Sequence, residues 1–389
     1  MTDSRPPQTP TALDKLITAD AADQLKALPG PDILVLEDPT GALTSWALDQ
    51  AQERGGRVIS RQTSYKAATR LYQQQQIKVE TGQLVIAGLE TSPQGPTTNH
   101  QTLGLHQILH TSNFQGQLAL GQLPKSHAAL ADISYDLARY QARQGSEATL
   151  ILGGNTKHMT PSFNQTLGRN FQQVRGLRGK GKHRCLLATG PKPAPKAPQA
   201  AGPLKAAGGV FSGAKPDKGG QLLATNILTH LSQEAPTGPL TLIDLGCGNG
   251  SVTHHLLKNL PTGVEISRAY ATDLDADAIR TSTLNLSQDP RIHISWDDAG
   301  SRLPQNTADI ITLNPPFHTG TTIDLTLISP LLDAAKRLLT PGGRLYLVHN
   351  SHARYRPQIE ERFQHVKQLE RTPTFTILTA HTPTTQENQ

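Results

Sequence analysis

"LTLIDLGCGNG", residues 240–250, is an apolar run that reaches an acid and then places glycine at every second position. Leu240 to Leu245 predicts a β-strand covered on both faces, and "SVTHHLLKNL" after it predicts a helix. Strand, glycine turn and helix together form the opening of a parallel α/β unit. Gly246, Gly248 and Gly250 permit a tight turn and let backbone N–H groups approach a ligand at the helix N-terminus.

Working outward, the spacing G-x-G-x-G with Asp244 just before it differs from the G-x-G-x-x-G of dinucleotide binders. No G-K-[ST] follows, so a triphosphate has no lysine to hold it. "YATDLD" (270–275) ends a second strand in Asp273, where a carboxylate can accept both hydroxyls of a ribose. "ISWDDAG" (294–300) ends a third in Asp297 and Asp298, either of which suits an adenine amine. Caps and turns also favour Asp and Gly. Several such ends on the carboxyl edge of one sheet point instead to an adenosine site. An acidic, lysine-free pocket fits S-adenosylmethionine (SAM), which carries a sulfonium and an amino-acid tail but no phosphate.

"ADIITLNPPF" (308–317) predicts a fourth strand, stopped by Asn314-Pro315-Pro316-Phe317. Prolines bring no N–H and lock φ near −65°, and each pushes the residue before it toward extended geometry. The turn is then a rigid row of acceptors: the Asn314 side-chain carbonyl and the Pro315 backbone carbonyl. An exocyclic –NH₂ can donate both hydrogens to it, which localises the nitrogen lone pair. Phe317 offers a face for a planar substrate. Holding nitrogen and methyl in line is a positioning problem that needs no metal, and no H-E-x-x-H or similar ligand spacing occurs among the 15 histidines.

The rest of the chain repeats this architecture. Strand-like runs at 33–36, 83–90, 117–124 and 147–154 alternate with helical stretches and predict a parallel, doubly covered sheet over residues 1–187. Residues 188–206, rich in Pro, Ala and Lys, read as a linker, and 207–389 as the second α/β unit. In it, "LLDAAKRLLTPGGRLYLV" predicts a helix stopped by Pro341-Gly342-Gly343 before a strand. Residues 151–218 hold 12 Lys+Arg and one acid, Asp217, a net of +11 in a chain of net +6. That is the footprint of a polyanionic partner. No apolar run reaches membrane-spanning length, the first ten residues carry no secretory h-region, and Cys185 and Cys247 cannot build a disulfide framework. A cytoplasmic, reduced, metal-free protein is expected.

The second unit resembles the class I SAM-dependent methyltransferases: "DLGCGNG" is similar to their first motif, and "NPPF" to the fourth motif of enzymes that methylate amino groups on planar systems. "NPPFHTG", with His318 after the Phe, resembles the bacterial ribosomal RNA guanine-N2 methyltransferases, which carry two tandem Rossmann-like units, the first degenerate and the second catalytic. "ILVLEDPTGALTSWAL" (33–48) looks like a decayed first motif that keeps Gly41. "LPKSHAALADI" and "GGVFSGAKPDKGG" are similar to segments of the large-subunit (23S) branch. The resemblance implies that Asp244, Gly246, Gly248, Gly250, Asp273 and Asp297 hold SAM, with Cys247, Leu274, Asp298 and Asn314 beside it. It further implies that Asn314, Pro315 and Phe317 hold the guanine. The interleaved Arg169, Arg175, Arg178, Lys180, Lys182 and Arg184, with His318, are expected to contact rRNA phosphates. The 16S branch shares the motifs, and a protein-glutamine N5 methyltransferase needs the same acceptor turn. DNA adenine-N6 methylation would use that turn as well, but no duplex-recognition domain is evident. A non-catalytic RNA-binding protein would need a ruined cofactor loop, and this loop is intact. A monomer is expected.

Overall fold

The computed structural model describes residues 9–234, 236, 238–315, 328–353 and 355–383. The chain divides into two compact units, Met1–Gln199 with Ala207–Gly209, and Ala200–Ala206 with Val210–Gln389.

The first unit contains β1 (Ile33–Leu36), β2 (Val58–Arg61), β3 (Leu84–Ile86), a small hairpin of β4 (Leu89–Ser92) and β5 (Gly95–Thr98), β6 (Leu118–Gln122), β7 (Thr149–Asn155), β8 (Phe171–Gly176) and β9 (His183–Pro191). The sheet order is β3-β2-β1-β6-β7-β9-β8. Its first five strands are parallel, and β9 runs antiparallel to both neighbours. The expected all-parallel sheet is thus closed by an antiparallel hairpin, which brings the chain back without another crossover helix. Residues 188–191, assigned from sequence to the linker, are the end of β9. Ala188 and Thr189 continue its ladder opposite Leu150 and Thr149, and Pro191 lies opposite Phe171 of β8.

The second unit contains β10 (Pro239–Leu245), β11 (Glu265–Asp273), β12 (Ile292–Trp296), β13 (Ala308–Leu313), β14 (Leu339–Asn350), β15 (Gln364–Arg371) and β16 (Phe375–His381). Its order, β12-β11-β10-β13-β14-β16-β15, repeats the first sheet strand for strand. Leu223, Ile227 and Leu256 pack on one face against Leu242 and Ile310. Leu332, Ala335 and Tyr355 pack on the other against Ile243, Ile311 and Leu345. Each fully buried aliphatic contributes on the order of 1.5–3 kcal/mol. Covering both faces explains why these strands read as continuous apolar runs.

Pro341-Gly342-Gly343 does not stop a helix before a strand. The helix Ser329–Leu338 passes directly into β14, and the three residues form an irregularity inside it, where pairing with β13 slips between Ala308–Leu339 and Ile310–Arg344. Proline without an N–H and Gly342 at φ 76° suit a bulge. No helix among the described residues is long and apolar enough to cross a membrane.

Candidate active site

Strands β10 and β13 are neighbours in space but not in sequence, so the crossover connections leave to opposite sides between them. That switch point opens a crevice beyond the carboxyl ends of the strands. The glycine loop follows β10 on one side of it and Asn314-Pro315 follows β13 on the other.

Gly246, Gly248 and Gly250 have φ of 77°, 54° and 79°, a region L side chains rarely enter. A Cβ on Gly246 or Gly248 would meet nothing, whereas one on Gly250 would meet Leu286 at 2.8 Å. The first two glycines therefore border open space and the third lets the helix Ser251–Lys258 pack closely. The expectation of free N–H groups for a ligand is corrected at four positions. Gly246 and Cys247 both donate to the Thr272 carbonyl (2.9 and 3.0 Å), Gly248 donates to Asp273 Oδ2 (2.9 Å), and Gly250 donates to the Cys247 carbonyl (2.9 Å). A loop so occupied offers shape and little for a phosphate.

The acids separate into two kinds. Asp244 is 2 % exposed and Asp297 0 % exposed. Asp244 accepts from Thr253 Oγ1 and Thr312 Oγ1, both at 2.7 Å, and ties the helix and β13 to β10. Asp297 accepts from Ser295 Oγ and the Gly300 N–H, both at 2.7 Å, closing the turn after β12. Burial raises both carboxyls above the ordinary range, against these hydrogen bonds. These bonds give both acids a bracing role that the sequence did not reveal, beside the cofactor role expected of them. They hold the edge in shape.

Asp273 and Asp298, half-buried, are the accessible acids. Asp273 accepts from the Gly248 and Asp275 N–H groups, both at 2.9 Å. Burial, with the nearby Asp244 charge, nevertheless pushes it up to about 6. A cation placed there would favour its ionised form. Leu274 is fixed by its carbonyl, which accepts from Trp296 Nε1 at 2.9 Å. The Cys247 thiol is buried against Ser282 Oγ at 3.3 Å and pushed well up by burial and by Asp273, so it is a packed, neutral group.

Asn314 Nδ2 donates to Asp217 Oδ2 at 3.0 Å, while Asn314 Oδ1 is buried with no partner among the described residues. Pro315 is buried; Phe317 and His318 lie outside the described residues. An orphaned buried acceptor costs about 1–3 kcal/mol, and this one sits at the crevice beside the glycine loop. It suits a donor that arrives with a ligand.

Sequence reasoning missed the supports. Asn249, buried in the glycine loop, donates to the Gly213 and Lys215 carbonyls (3.0 and 2.8 Å), binding "SGAK" to the site. Asp217 is the lone acid of the basic block and precedes a helix, a readable cap signal, but nothing in the sequence links it to Asn314, 97 positions later.

In the first unit, Arg169, Arg175, Arg178, Lys180, Lys182 and Arg184 are all exposed, on and beside the hairpin of β8 and β9 at the sheet's edge. Among the described residues none of the six has a carboxylate partner. No group of three His, Cys, Asp or Glu among the described residues has metal-binding geometry.

A family model described as methyltransferase small domain matches residues 202–379. A ribosomal RNA large subunit methyltransferase G of Shewanella amazonensis is 28 % identical over 280 residues, covering 68 % of this chain and 69 % of that protein. A ribosomal RNA small subunit methyltransferase C of Pseudomonas fluorescens is 38 % identical over 167 residues, 42 % of this chain and 47 % of that one. The latter alignment spans less than half of that relative's length. A solved T. thermophilus 16S rRNA guanine-N2 methyltransferase, in complex with AdoMet and guanosine, matches 90 % of this chain and 88 % of its own at TM-score 0.63 and 20 % identity. That likeness extends over both units of the fold.

Proposed function

We propose that this chain, a member of the ribosomal RNA guanine-N2 methyltransferase family, transfers the methyl group of S-adenosylmethionine to the exocyclic amine of a guanine in 23S rRNA. The observation that carries the mechanism is the buried Oδ1 of Asn314 beside the glycine loop, which has no partner among the described residues.

The cofactor supplies an electrophilic methyl on a sulfonium. Gly246 and Gly248 leave room for its body, and Asp273 accepts its ribose hydroxyls. Asp298 takes the adenine amine, and the scarcity of free N–H groups in the loop suits a ligand without phosphates. Asn314 Oδ1 and the Pro315 carbonyl accept the two N2 hydrogens, which localises the lone pair and aims it. The exposed basic hairpin of the first unit contacts rRNA phosphates without reading sequence. Neither a metal nor a second copy of the chain enters this scheme, which runs in the cytoplasm where rRNA is made.

The sequence alignment with the large-subunit relative covers two-thirds of both chains against under half for the small-subunit relative, which supports 23S rRNA. The solved 16S enzyme, at 20 % identity, speaks for the fold alone. Incubating the protein with labelled SAM and naked rRNA, assembled subunits or a release-factor-like protein tests the reading. Label is expected in 23S rRNA; label confined to the protein acceptor overturns it.

A further inference from the structure

The orientation of Asn314 requires an explanation, because an amide at a turn can present either its oxygen or its nitrogen. Asp217 Oδ2 accepts from Asn314 Nδ2 at 3.0 Å and from the Gly220 N–H at 2.8 Å, and the Asp217 carbonyl accepts from the Gln221 N–H at 2.9 Å. Asp217 is thus the N-cap of the helix Lys218–Glu234 and also the partner of Asn314. A carboxylate has no hydrogen to offer, so only the NH₂ end of the amide can face it. Oδ1 is then forced to the opposite side, where no donor among the described residues meets it.

We propose that Asp217 is a positioning residue for methyl transfer: it fixes which end of the Asn314 amide faces the substrate amine, and it strengthens that end as an acceptor. The inference rests on the acceptor-turn reading above. A carboxylate drawing on the amide N–H polarises the amide, and charge moves onto the far oxygen. An approaching guanine amine then finds an acceptor already oriented and enriched. The sequence around Asp217 is built for this approach. A Cβ on Gly220 would come within 2.9 Å of Val252 and 3.4 Å of Asn314 Nδ2, and one on Gly219 within 3.1 Å of Phe375 and 3.2 Å of Asp217 Oδ2. Two glycines in the first turn let the helix start lie against the end of β13.

The helix cap and the amide contact can be separated. Asp217→Ser keeps a side-chain oxygen able to cap the helix, but it is shorter by a carboxylate and carries no charge for Asn314. Full-length Asp217→Ser, Asp217→Ala, Asn314→Ala and the double variant Asp217→Ala/Asn314→Ala are compared for kcat on rRNA, SAM affinity by calorimetry, and thermal midpoint. Asp217→Ser is expected to melt near wild type and bind SAM within about twofold. Its kcat is expected to fall by about 10- to 100-fold, the scale of a misplaced reacting group. Adding Asp217→Ala to Asn314→Ala is expected to cost no further kcat, because one residue acts through the other. Wild-type kcat in Asp217→Ser, or losses that multiply in the double variant, overturn the proposal. Wild-type activity in Asn314→Ala instead removes the acceptor turn itself, and the proposal with it.

Discussion

The two units share a sheet but treat the turn after its first strand differently. Pairing of Leu36 with Arg61 and of Leu245 with Thr272 sets Glu37 where the second unit has Gly246, and Gly41 where it has Gly250. The backbone matches: φ is 51° at Glu37 and 78° at Gly41, against 77° and 79°. The space does not. In the first unit Asp38 accepts from the Gly41 and Thr44 N–H groups (3.0 and 2.8 Å), and Glu37 reaches the buried Arg61 at 3.3 Å. Side chains fill the turn. In the second unit a Cβ at Gly246 or Gly248 would meet nothing. An amide–carboxylate contact recurs too: Gln122, at the end of β6, donates to Asp14 at 3.3 Å, as Asn314 donates to Asp217. Asp14 also serves Thr11 and Thr40. The two units thus keep one backbone course, and what separates a ligand site from a packed turn is which side chains occupy it.

That contrast can be broken in several ways. The largest effect is expected from Asn314→Ala, which removes the orphaned acceptor: transfer to rRNA should drop by about 10²–10³-fold, the cost of losing one preorganised polar partner. SAM binding measured in parallel should persist, and unchanged turnover would refute the acceptor role. Next comes Gly246→Glu, which gives the second unit the first unit's residue. The left-handed backbone would cost about 1–2 kcal/mol, the protein should still melt cooperatively, and calorimetric SAM affinity should fall by about 100-fold. Full affinity would mean that the open space serves another purpose.

Charge removal sharpens the other side of the comparison. Changing Arg178, Lys180 and Lys182 together to Ala should weaken rRNA binding and reduce the slope of log affinity against log salt by about 2 to 3. SAM affinity should not change, since the hairpin belongs to the first unit. An unchanged slope would assign phosphate contact elsewhere.

The smallest effect near neutrality concerns Asp273, raised from 3.8 to about 6 in the ligand-free protein. The ionised form accepts the cofactor's hydroxyls and favours its cation, so SAM affinity should be full above pH 6 and weaken by up to about tenfold per unit below it. Stability runs the other way. A raised carboxyl makes the native state bind more protons than the unfolded chain, so ligand-free stability declines as pH rises from about 4 to 6, and its contribution then levels off. Asp273→Asn should flatten the SAM-affinity profile and lessen the decline in stability, to which the raised Asp244 and Asp297 also contribute. An affinity profile that keeps its shape would place that titration on another group.

Much of the site was legible because its elements are local. The apolar run to Leu245, three glycines needing positive φ, and prolines ending β13 each act through neighbours in sequence, so pattern reveals them. The roles of the acids were not legible. Asp244 and Asp297 look like Asp273 in one dimension, but burial against Thr253, Thr312 and Ser295 turns the first two into braces. The bulge at Pro341–Gly343 was missed because a proline–glycine pair marks a turn or a bulge equally well until a partner strand is present.

By itself the sequence determined the doubled α/β architecture, the glycine loop, the end of β13 before Asn314-Pro315 and the basic stretch. Backbone conformation and net charge follow from residue type and spacing. Only the tertiary structure decided which carboxylates remain accessible, that several of the loop's N–H groups are already satisfied, and that Asp217 holds Asn314 across 97 residues of chain. Those depend on which side chains packing brings within about 3 Å of each other, and burial and hydrogen bonding are properties of the neighbours rather than of the residue.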